Sequence, residues 1–452
     1  MQGEVQRESW GSRFGFIMAA AGSAIGLGNI WRFPYLAGEN GGAAFIFVYL
    51  LAVFFCGLVV MLAEFSIGRA AGQDAIGSFK KLAPGTPWWV TGALGVLAAF
   101  VILSFYGVVG GWTIAYIVKS FTTSLSALNA DSFVGFISNP IEPIFWQLLF
   151  MGITIFIVIM GIQGGIEKWS KILMPAIFGI LILLIIRGIT LEGASEGINF
   201  LVSPDWSKIT SKSILAALGQ AFFSLSLGMG TMITYGSYLS KKENLTSSAA
   251  TVVTLDTAVA LLAGFAIFPA LFALGGEPAS GAGLVFITLP GLFDKLPLGA
   301  LFSAIFFVLL FFAALTSAIS ILECVVAYTK DQLGWERKKG ALVIGGLITL
   351  LGVACSLSNG VMSGFTLPYP GQPNPLNLMD WLGVFTDTLL PLGGLFICLF
   401  IGFKWKVTNA VNELTNNGQL GAGWVPVWKV LVTYICPIII LFVLLNGLGI
   451  LG

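Results

Sequence analysis

The chain is a succession of long apolar runs separated by short polar stretches. Eleven runs are long enough to cross a bilayer, since about 20 residues span the hydrocarbon. They cover roughly 12–37, 41–68, 88–119, 143–161, 166–187, 214–239, 246–274, 298–328, 340–356, 377–402 and 429–448. This pattern predicts an all-α polytopic membrane protein with eleven transmembrane helices. Two runs carry an interruption. The first reads Gly22-Ser23-Ala24-Ile25-Gly26-Leu27-Gly28-Asn29. The second reads Phe223-Ser224-Leu225-Ser226-Leu227-Gly228-Met229-Gly230. An unpaired amide or carbonyl in lipid costs several kcal/mol, so a break is tolerated where the freed groups line a cavity.

The breaks fall in runs one and six. Matched breaks in two halves of a chain point to a transporter's binding site. Runs one to five and six to ten then form two five-helix repeats, 1–187 and 214–402. An odd repeat length starts the second copy on the other side of the membrane, so the repeats are inverted. Run eleven, 429–448, stands outside them, and the whole chain, 1–452, is one transporter domain. The polar stretch 188–212 is placed to fold over the outer mouth. The stretches 275–296 and 362–375 are rich in Gly and Pro and read as loops.

Composition agrees with the pattern. The chain is 57% hydrophobic and 10% charged, where soluble domains carry about 25% charge. Lysine and arginine set the orientation. With the N-terminus in the cytoplasm, only Lys119, Arg187, Lys208, Lys212 and Lys295 lie outside, and Arg32 lies in the membrane. Eleven crossings then put the C-terminus outside the cell membrane. Residues 1–13 are polar and no cleavage site follows, so the first helix is expected to serve as its own membrane signal. A net charge of +1 points away from nucleic-acid partners, and no obligatory protein partner is evident. Five cysteines in apolar runs, without CxxC spacing, suggest neither disulfides nor a metal centre. There is no histidine and no credible nucleophile–base pair, so an enzyme is not expected.

The breaks place backbone dipoles at mid-membrane. Amides of Leu27 and Gly28, at the start of the outer half-helix, would face an anion. Carbonyls of Gly22, Ala24 and Ile25 would face a cation, with Asn29 adding a neutral oxygen. Read alone, Gly22 and Gly26 are a helix-packing pair; the second break argues against that. Ser224 and Ser226 flank the second break, though hydroxyls in helices often bond back to their own backbone. Ala313, Thr316 and Ser317 in run eight offer hard oxygens of the kind an alkali cation needs; read alone they are small residues at a helix contact, unless another helix supplies more oxygens. Intramembrane charges are the sharper signal, costing roughly 2.5–3.5 kcal/mol each at a helix centre. Arg32 and Asp380 form a plausible outer gate pair. Glu64 reads as a structural anchor. Asp256 is a cation ligand, a countercharge or a proton carrier, or else simply a buried acid satisfied by its neighbours. Arg7, Trp10 and Asp331 suggest an inner latch, although exposed pairs are worth under about 1 kcal/mol. Tyr106 places a hydroxyl at mid-depth or simply packs.

Trp10, the stretch from Gly22 to Pro34, Glu39-Asn40-Gly41-Gly42 and the stretch from Gln220 to Gly228 resemble the signatures of the neurotransmitter:sodium symporters. The resemblance covers all eleven runs. It implies a LeuT-like 5+5 inverted repeat with broken helices one and six plus one extra helix. It implies one sodium bound by Ala24, Asn29, Ser224, Asp256 and the substrate carboxylate, and a second by Gly22, Ile25, Ala313, Thr316 and Ser317. The carboxylate would meet Leu27, Gly28 and Tyr106. The amine would meet Ala24, Phe223, Ser224 and Ser226. The side chain would meet Ile102, Val109, Phe223, Met229 and Ile321. Arg32 and Asp380 match the outer gate; Arg7, Trp10, Tyr238 and Asp331 match the inner one. Gly165 and Pro175 bracket a nine-residue spacing seen in the family, where local unwinding could admit water to the second sodium.

Gly26 stands where monoamine carriers of that family have an aspartate, which favours an amino acid with its own carboxylate. Met229 is flexible enough to fit several hydrophobic side chains. Asp256 supplies a fixed negative charge, so chloride independence is expected. The expected function is sodium-coupled import of hydrophobic L-amino acids such as tryptophan and leucine, by alternating access. The alternatives are a proton-coupled carrier of the same architecture and a sodium-dependent amino-acid sensor. A channel would need a continuous selectivity ring, which the gated site lacks.

Overall fold

The computed structural model describes residues 8–278, 281–421 and 423–450. The first run begins as α1 (Arg13–Ala24) and continues, after a turn, as α2 (Gly28–Glu39), bent 50° from it. Ser12 caps α1, its hydroxyl accepting the Gly15 amide. Ile25 is extended (φ −73°, ψ 107°), which ends the helix. The chain then forms α3 (Ala43–Ala71), a short α4 (Ala75–Leu82), α5 (Trp89–Thr122), the short α6 (Ala130–Ser138), α7 (Glu142–Ile159) and α8 (Ile162–Ile189). The stretch 188–212 folds in part into α9 (Ala194–Val202), which packs on the seventh run.

The sixth run is α10 (Ser211–Ser224) and α11 (Thr231–Gly236). Each piece is too short to cross alone. Their junction holds three residues in the left-handed region: Ser226 (φ 53°), Gly228 (φ 78°) and Gly230 (φ 77°). A helix cannot pass through such backbone. At Gly228 a Cβ would also run into the Leu390 carbonyl, so glycine serves both the turn and the close approach. The second half continues as α12 (Leu245–Ala273), α13 (Thr288–Phe293), α14 (Gly299–Leu333), α15 (Arg337–Leu357), α16 (Leu378–Leu414) and α17 (Val425–Gly447). The 362–375 loop is closed by a small antiparallel pair, Thr366–Leu367 against Leu376–Asn377.

Among the described residues, nine helices are long and apolar enough to span a bilayer, and ten if the bent pair α1–α2 is one span. Phe54, Phe156, Ile186 and Leu350 are among many large apolar side chains left exposed on their outer faces. Such a surface suits lipid and not water. The protein is a multi-pass membrane protein. The long helices α5 and α14 lie along each other at the centre, and α1 packs on α8, α12 and α14. The two breaks therefore meet in the middle of the bundle.

Candidate functional site

The breaks are tied to each other by hydrogen bonds that their own helices cannot satisfy. Ser226 donates to the Ser23 carbonyl at 2.9 Å, and Gln220 Nε2 to the Gly28 carbonyl at 2.8 Å. The Gly228 amide donates to Glu64 Oε1 at 2.7 Å, so Glu64 does anchor the second break. All of these groups are buried. A buried backbone amide or carbonyl without a partner costs about 1–3 kcal/mol, which is why each break recruits side chains from elsewhere.

The first cluster gathers on α12. Asn29 Nδ2 lies 2.7 Å from Asp256 Oδ1 and 3.0 Å from Ser224 Oγ. Ser224 in turn donates to Asp256, 2.8 Å from Oδ2. Asn29 Oδ1 accepts the Gly26 amide at 3.0 Å. Three of the four residues expected around the first sodium thus meet directly, with Ala24 at the end of α1. Tyr49, which sequence reasoning missed, reaches the same group, its hydroxyl 3.4 Å from Ser224 Oγ.

The second cluster lies between α1 and α14. Ser317 Oγ is 3.5 Å from the Gly22 carbonyl, 3.1 Å from that of Ser23 and 3.2 Å from that of Ile25. Thr316 Oγ1 is 3.4 Å from the Ile25 carbonyl and 3.1 Å from that of Ala313. All five expected residues therefore contribute to one cage of neutral oxygens. Hard, uncharged oxygens suit a small monovalent cation. Thr316 is also 3.1 Å from the Phe312 carbonyl, so back-bonding and convergence occur in the same side chain.

Above the clusters the Leu27 amide donates to the Tyr106 hydroxyl at 3.2 Å. A cavity of about 400 Å³ opens from here away from the N-terminal face. Leu27, Tyr106, Val109 and Phe223 line it, with Arg32 and Asp387 among the charged groups. Ile102, Ser226, Met229 and Ile321 are buried and do not line it.

The outer gate needs one correction. Arg32 pairs with Asp387, Nη1 to Oδ1 at 3.2 Å and Nη2 to Oδ2 at 3.3 Å. Its guanidinium stands 4.8 Å from the centre of the Phe223 ring. Asp380 lies two helical turns away on the same helix. It lines the cavity, but its carboxylate accepts from Asn377 at 2.9 Å and its amide is capped by the same residue.

At the N-terminal face, Trp10 Nε1 donates to the Tyr235 carbonyl at 3.1 Å, and its ring lies 6.1 Å from that of Tyr238. Tyr238 donates to Glu323 at 2.7 Å. Glu323 is fully buried and paired with Arg337 at 2.5 Å, and Arg337 also pairs with Glu8 at 2.9 Å. Lys330 completes this network, 2.7 Å from Glu8. Glu8 titrates below the usual glutamate range: burial pushes it up, but Arg337 and Lys330 outweigh that. Sequence reasoning missed Glu8, Glu323 and Arg337. The available signal was Glu323 itself, an acid within an apolar run that needs a partner. Asp331 accepts the Asp74 amide at 2.7 Å, tying the turn before α4 to α14. Arg7 lies outside the described residues.

Three comparisons with known proteins agree with this geometry. The family model described as the sodium:neurotransmitter symporter family matches residues 7–134 and 137–450. A sodium-dependent transporter of Bacillus subtilis (strain 168) is 44% identical over 98% of both chains. Another, from Haemophilus influenzae, is 37% identical over 98% of both. Among solved structures, MhsT in complex with L-phenylalanine superposes with a TM-score of 0.89 at 50% identity, covering 98% of this chain and 100% of that one.

Proposed function

The chain belongs to the sodium:neurotransmitter symporter family, and from that premise we propose that it imports hydrophobic L-amino acids, aromatic and branched aliphatic, together with sodium. The observation that carries the reading is the cage made by Thr316, Ser317 and Ala313 against the Gly22 and Ile25 carbonyls. It offers oxygens and no basic group, as a sodium site requires and a proton carrier does not. A second sodium would sit at Asn29, Ser224, Asp256 and the Ala24 carbonyl, completed by the substrate carboxylate. Two ions per zwitterionic substrate bring in two charges. Each gains roughly 2.3 kcal/mol per 100 mV, so the potential alone supports accumulation on the order of a thousandfold.

The residues divide the work. Leu27, Gly28 and Tyr106 orient the carboxylate, and Phe223, Ser224, Ser226 and Ala24 receive the amine. Val109 and Phe223 line the cavity that the side chain would enter, and Ile102, Met229 and Ile321, buried outside that cavity here, would meet the side chain once the site closes around it. Asp256 contributes the fixed negative charge that makes chloride unnecessary. Support for an amino acid comes from the relative solved with L-phenylalanine and from Gly26. A Cβ there would stand 2.5 Å from Ser317 Oγ, so the site has no room for a carboxylate of its own. Substrate enters through the cavity under the Arg32–Asp387 pair while the Glu8–Arg337–Glu323 network holds the N-terminal face. Export of the load to the cytoplasm requires the reverse arrangement. The N-terminus is cytoplasmic in this scheme, and eleven crossings, with the broken α10–α11 counted as one, put the C-terminus outside.

The test is uptake of labelled tryptophan and leucine into proteoliposomes under an inward sodium gradient, with potassium and proton gradients in parallel. Sodium-dependent accumulation of both is expected. Uptake driven by protons would assign the cage wrongly, and sodium-dependent binding without uptake would make the protein a sensor.

A further inference from the structure

α10 and α17 pack side by side and leave a groove of about 700 Å³ between them. Lys212, at the start of α10, and Asn446, at the end of α17, stand at one end of it. Below them the walls are apolar: Ile214 and Leu218 on α10, Ile439 and Phe442 on α17. At 1.5 Å of rise per residue these walls run about 10 Å from the polar end. Ile214 and Phe442 are exposed, as are Ile438 and Leu441 beside them, so the groove opens on a flank that suits lipid. A smaller cavity of about 210 Å³ shares Lys212, Leu215 and Asn446 with the groove and reaches Arg32 and Asp387. The polar end therefore lies level with the mouth of the central cavity, on the side away from the N-terminal face.

Among the described residues Lys212 has no carboxylate partner, the Asn446 side-chain amide makes no hydrogen bond, and no acid lines the groove. One cation and one neutral donor above two apolar walls match the polarity of a phospholipid, phosphate at the top and acyl chain beneath. A lysine ammonium is a good partner for a phosphate. A soluble anion would make no use of the apolar walls, and an apolar helix would make none of the ammonium. α10 is loosely backed near this groove: at Gly219 a Cβ would meet nothing within 4 Å.

We propose that the groove binds an anionic phospholipid from the leaflet away from the N-terminal face, its phosphate held by Lys212 and Asn446 and one acyl chain lying between Leu218 and Ile439. The lipid steadies α10, whose other end carries Phe223 and Ser224. This site goes beyond the transport reading and stands without it.

The test is hydrogen–deuterium exchange of the full chain in nanodiscs of phosphatidylcholine, with and without added phosphatidylglycerol, while native mass spectrometry detects retained lipid. Phosphatidylglycerol should be retained and should slow exchange in 211–219 and 439–447 by about fivefold, which is what one lysine at a membrane surface contributes toward an anionic lipid. Lys212→Gln should remove both effects. Leu218→Trp, which fills the groove and keeps the charge, should remove them too. Lys208→Gln, four residues earlier and outside the groove, should change neither, which separates this site from the charge of the surface at large. If Leu218→Trp does not fold, the two lysine variants carry the test. Equal slowing in Lys212→Gln overturns the proposal, and so does slowing spread evenly over lipid-facing helices such as 142–159. Inorganic phosphate that reproduces the effect in phosphatidylcholine would also overturn it, as the mark of a free-anion site. Failure of the transport reading would show separately, as a wild type without sodium-driven uptake.

Discussion

Arg32 and Asp387 face each other across the mouth of the central cavity, 3.2 Å apart, with the guanidinium over the Phe223 ring. Both side chains keep contact with solvent, at 26% and 46% exposure. An exposed pair contributes little to the fold, and in the transport reading proposed above this one acts as the outer latch.

Asp387→Asn should therefore slow uptake without abolishing it. An exposed pair is worth at most about 1 kcal/mol, or about fivefold in rate. Asp380→Asn should stay within about twofold, since its partner is a neighbouring asparagine. Initial rates of amino-acid uptake for the two variants side by side distinguish these roles. A larger loss in Asp380→Asn would return the latch to that residue.

Asp256 is fully buried and receives Asn29 at 2.7 Å and Ser224 at 2.8 Å. Replacing chloride by gluconate should leave wild-type uptake unchanged. Asp256→Asn removes the charge and keeps the shape. Hydrogen bonds to charged groups are worth about 1.5–3 kcal/mol, so apparent sodium affinity should fall by at least about tenfold. Chloride should then stimulate the variant. A wild type that already needs chloride would end the countercharge reading.

Thr316→Val and Ser317→Ala each delete one oxygen of the cage. Each should raise the sodium requirement by about tenfold, read from uptake against sodium concentration. The paired variant should lose sodium coupling altogether. If the hydroxyls merely bond back to α14, as Thr316 does to Phe312, both variants will retain the wild-type requirement.

Gly26 leaves no space. A Cβ would lie 2.5 Å from Ser317 Oγ and 2.8 Å from the Tyr106 hydroxyl, closer than real contacts allow. Gly26→Ala and Gly26→Asp should both reduce uptake by more than about tenfold, because overpacking at a fitted site forces its neighbours apart. Tryptamine, which lacks the carboxylate, should not compete with tryptophan in the wild type. Effective competition would mean that Tyr106 and the Leu27 amide do not read a carboxylate.

The breaks at Gly22–Asn29 and Phe223–Gly230 were legible because glycine within an apolar run contradicts the need for continuous helix in lipid. The five cage residues followed from them and from the family signature. Asp387 was not legible. It and Asp380 lie seven residues apart, on one face of one helix, and sequence offers no rule for choosing between them. The Glu8–Arg337–Glu323 network was missed for another reason. Glu8 lies 329 residues from Arg337, and although Glu323 is only 14 residues from Arg337 the two sit on different helices, so only packing shows that a buried acid in α14 meets an arginine at the start of α15. The π-turn at Val53–Gly57 left no sequence mark either, since an inserted residue keeps the apolar character of that run, whereas the one at Ile162–Glu167 falls where the Gly165–Pro175 spacing already pointed to irregular helix.

Asp74 gives the pH dependence a definite sign. It caps α4, accepting the Ile76 amide at 2.8 Å and Gln332 Nε2 at 2.8 Å, beside Asp331. Burial, with the Asp331 charge as a smaller contribution in the same direction, raises it from its ordinary 3.8 to about 6. The folded protein thus holds this proton over a range where the unfolded chain has released it. Stability must fall as pH rises through that range. Asp74→Asn retains the cap, since asparagine is as good at that position, and cannot ionise. Relative to this variant, the wild type should lose thermal stability between about pH 4 and pH 6 and then level off. The difference should be on the order of 2 kcal/mol, or a few degrees in Tm. Unfolding followed in detergent at half-unit intervals measures it. Parallel curves for wild type and variant would show that Asp74 titrates at its ordinary value.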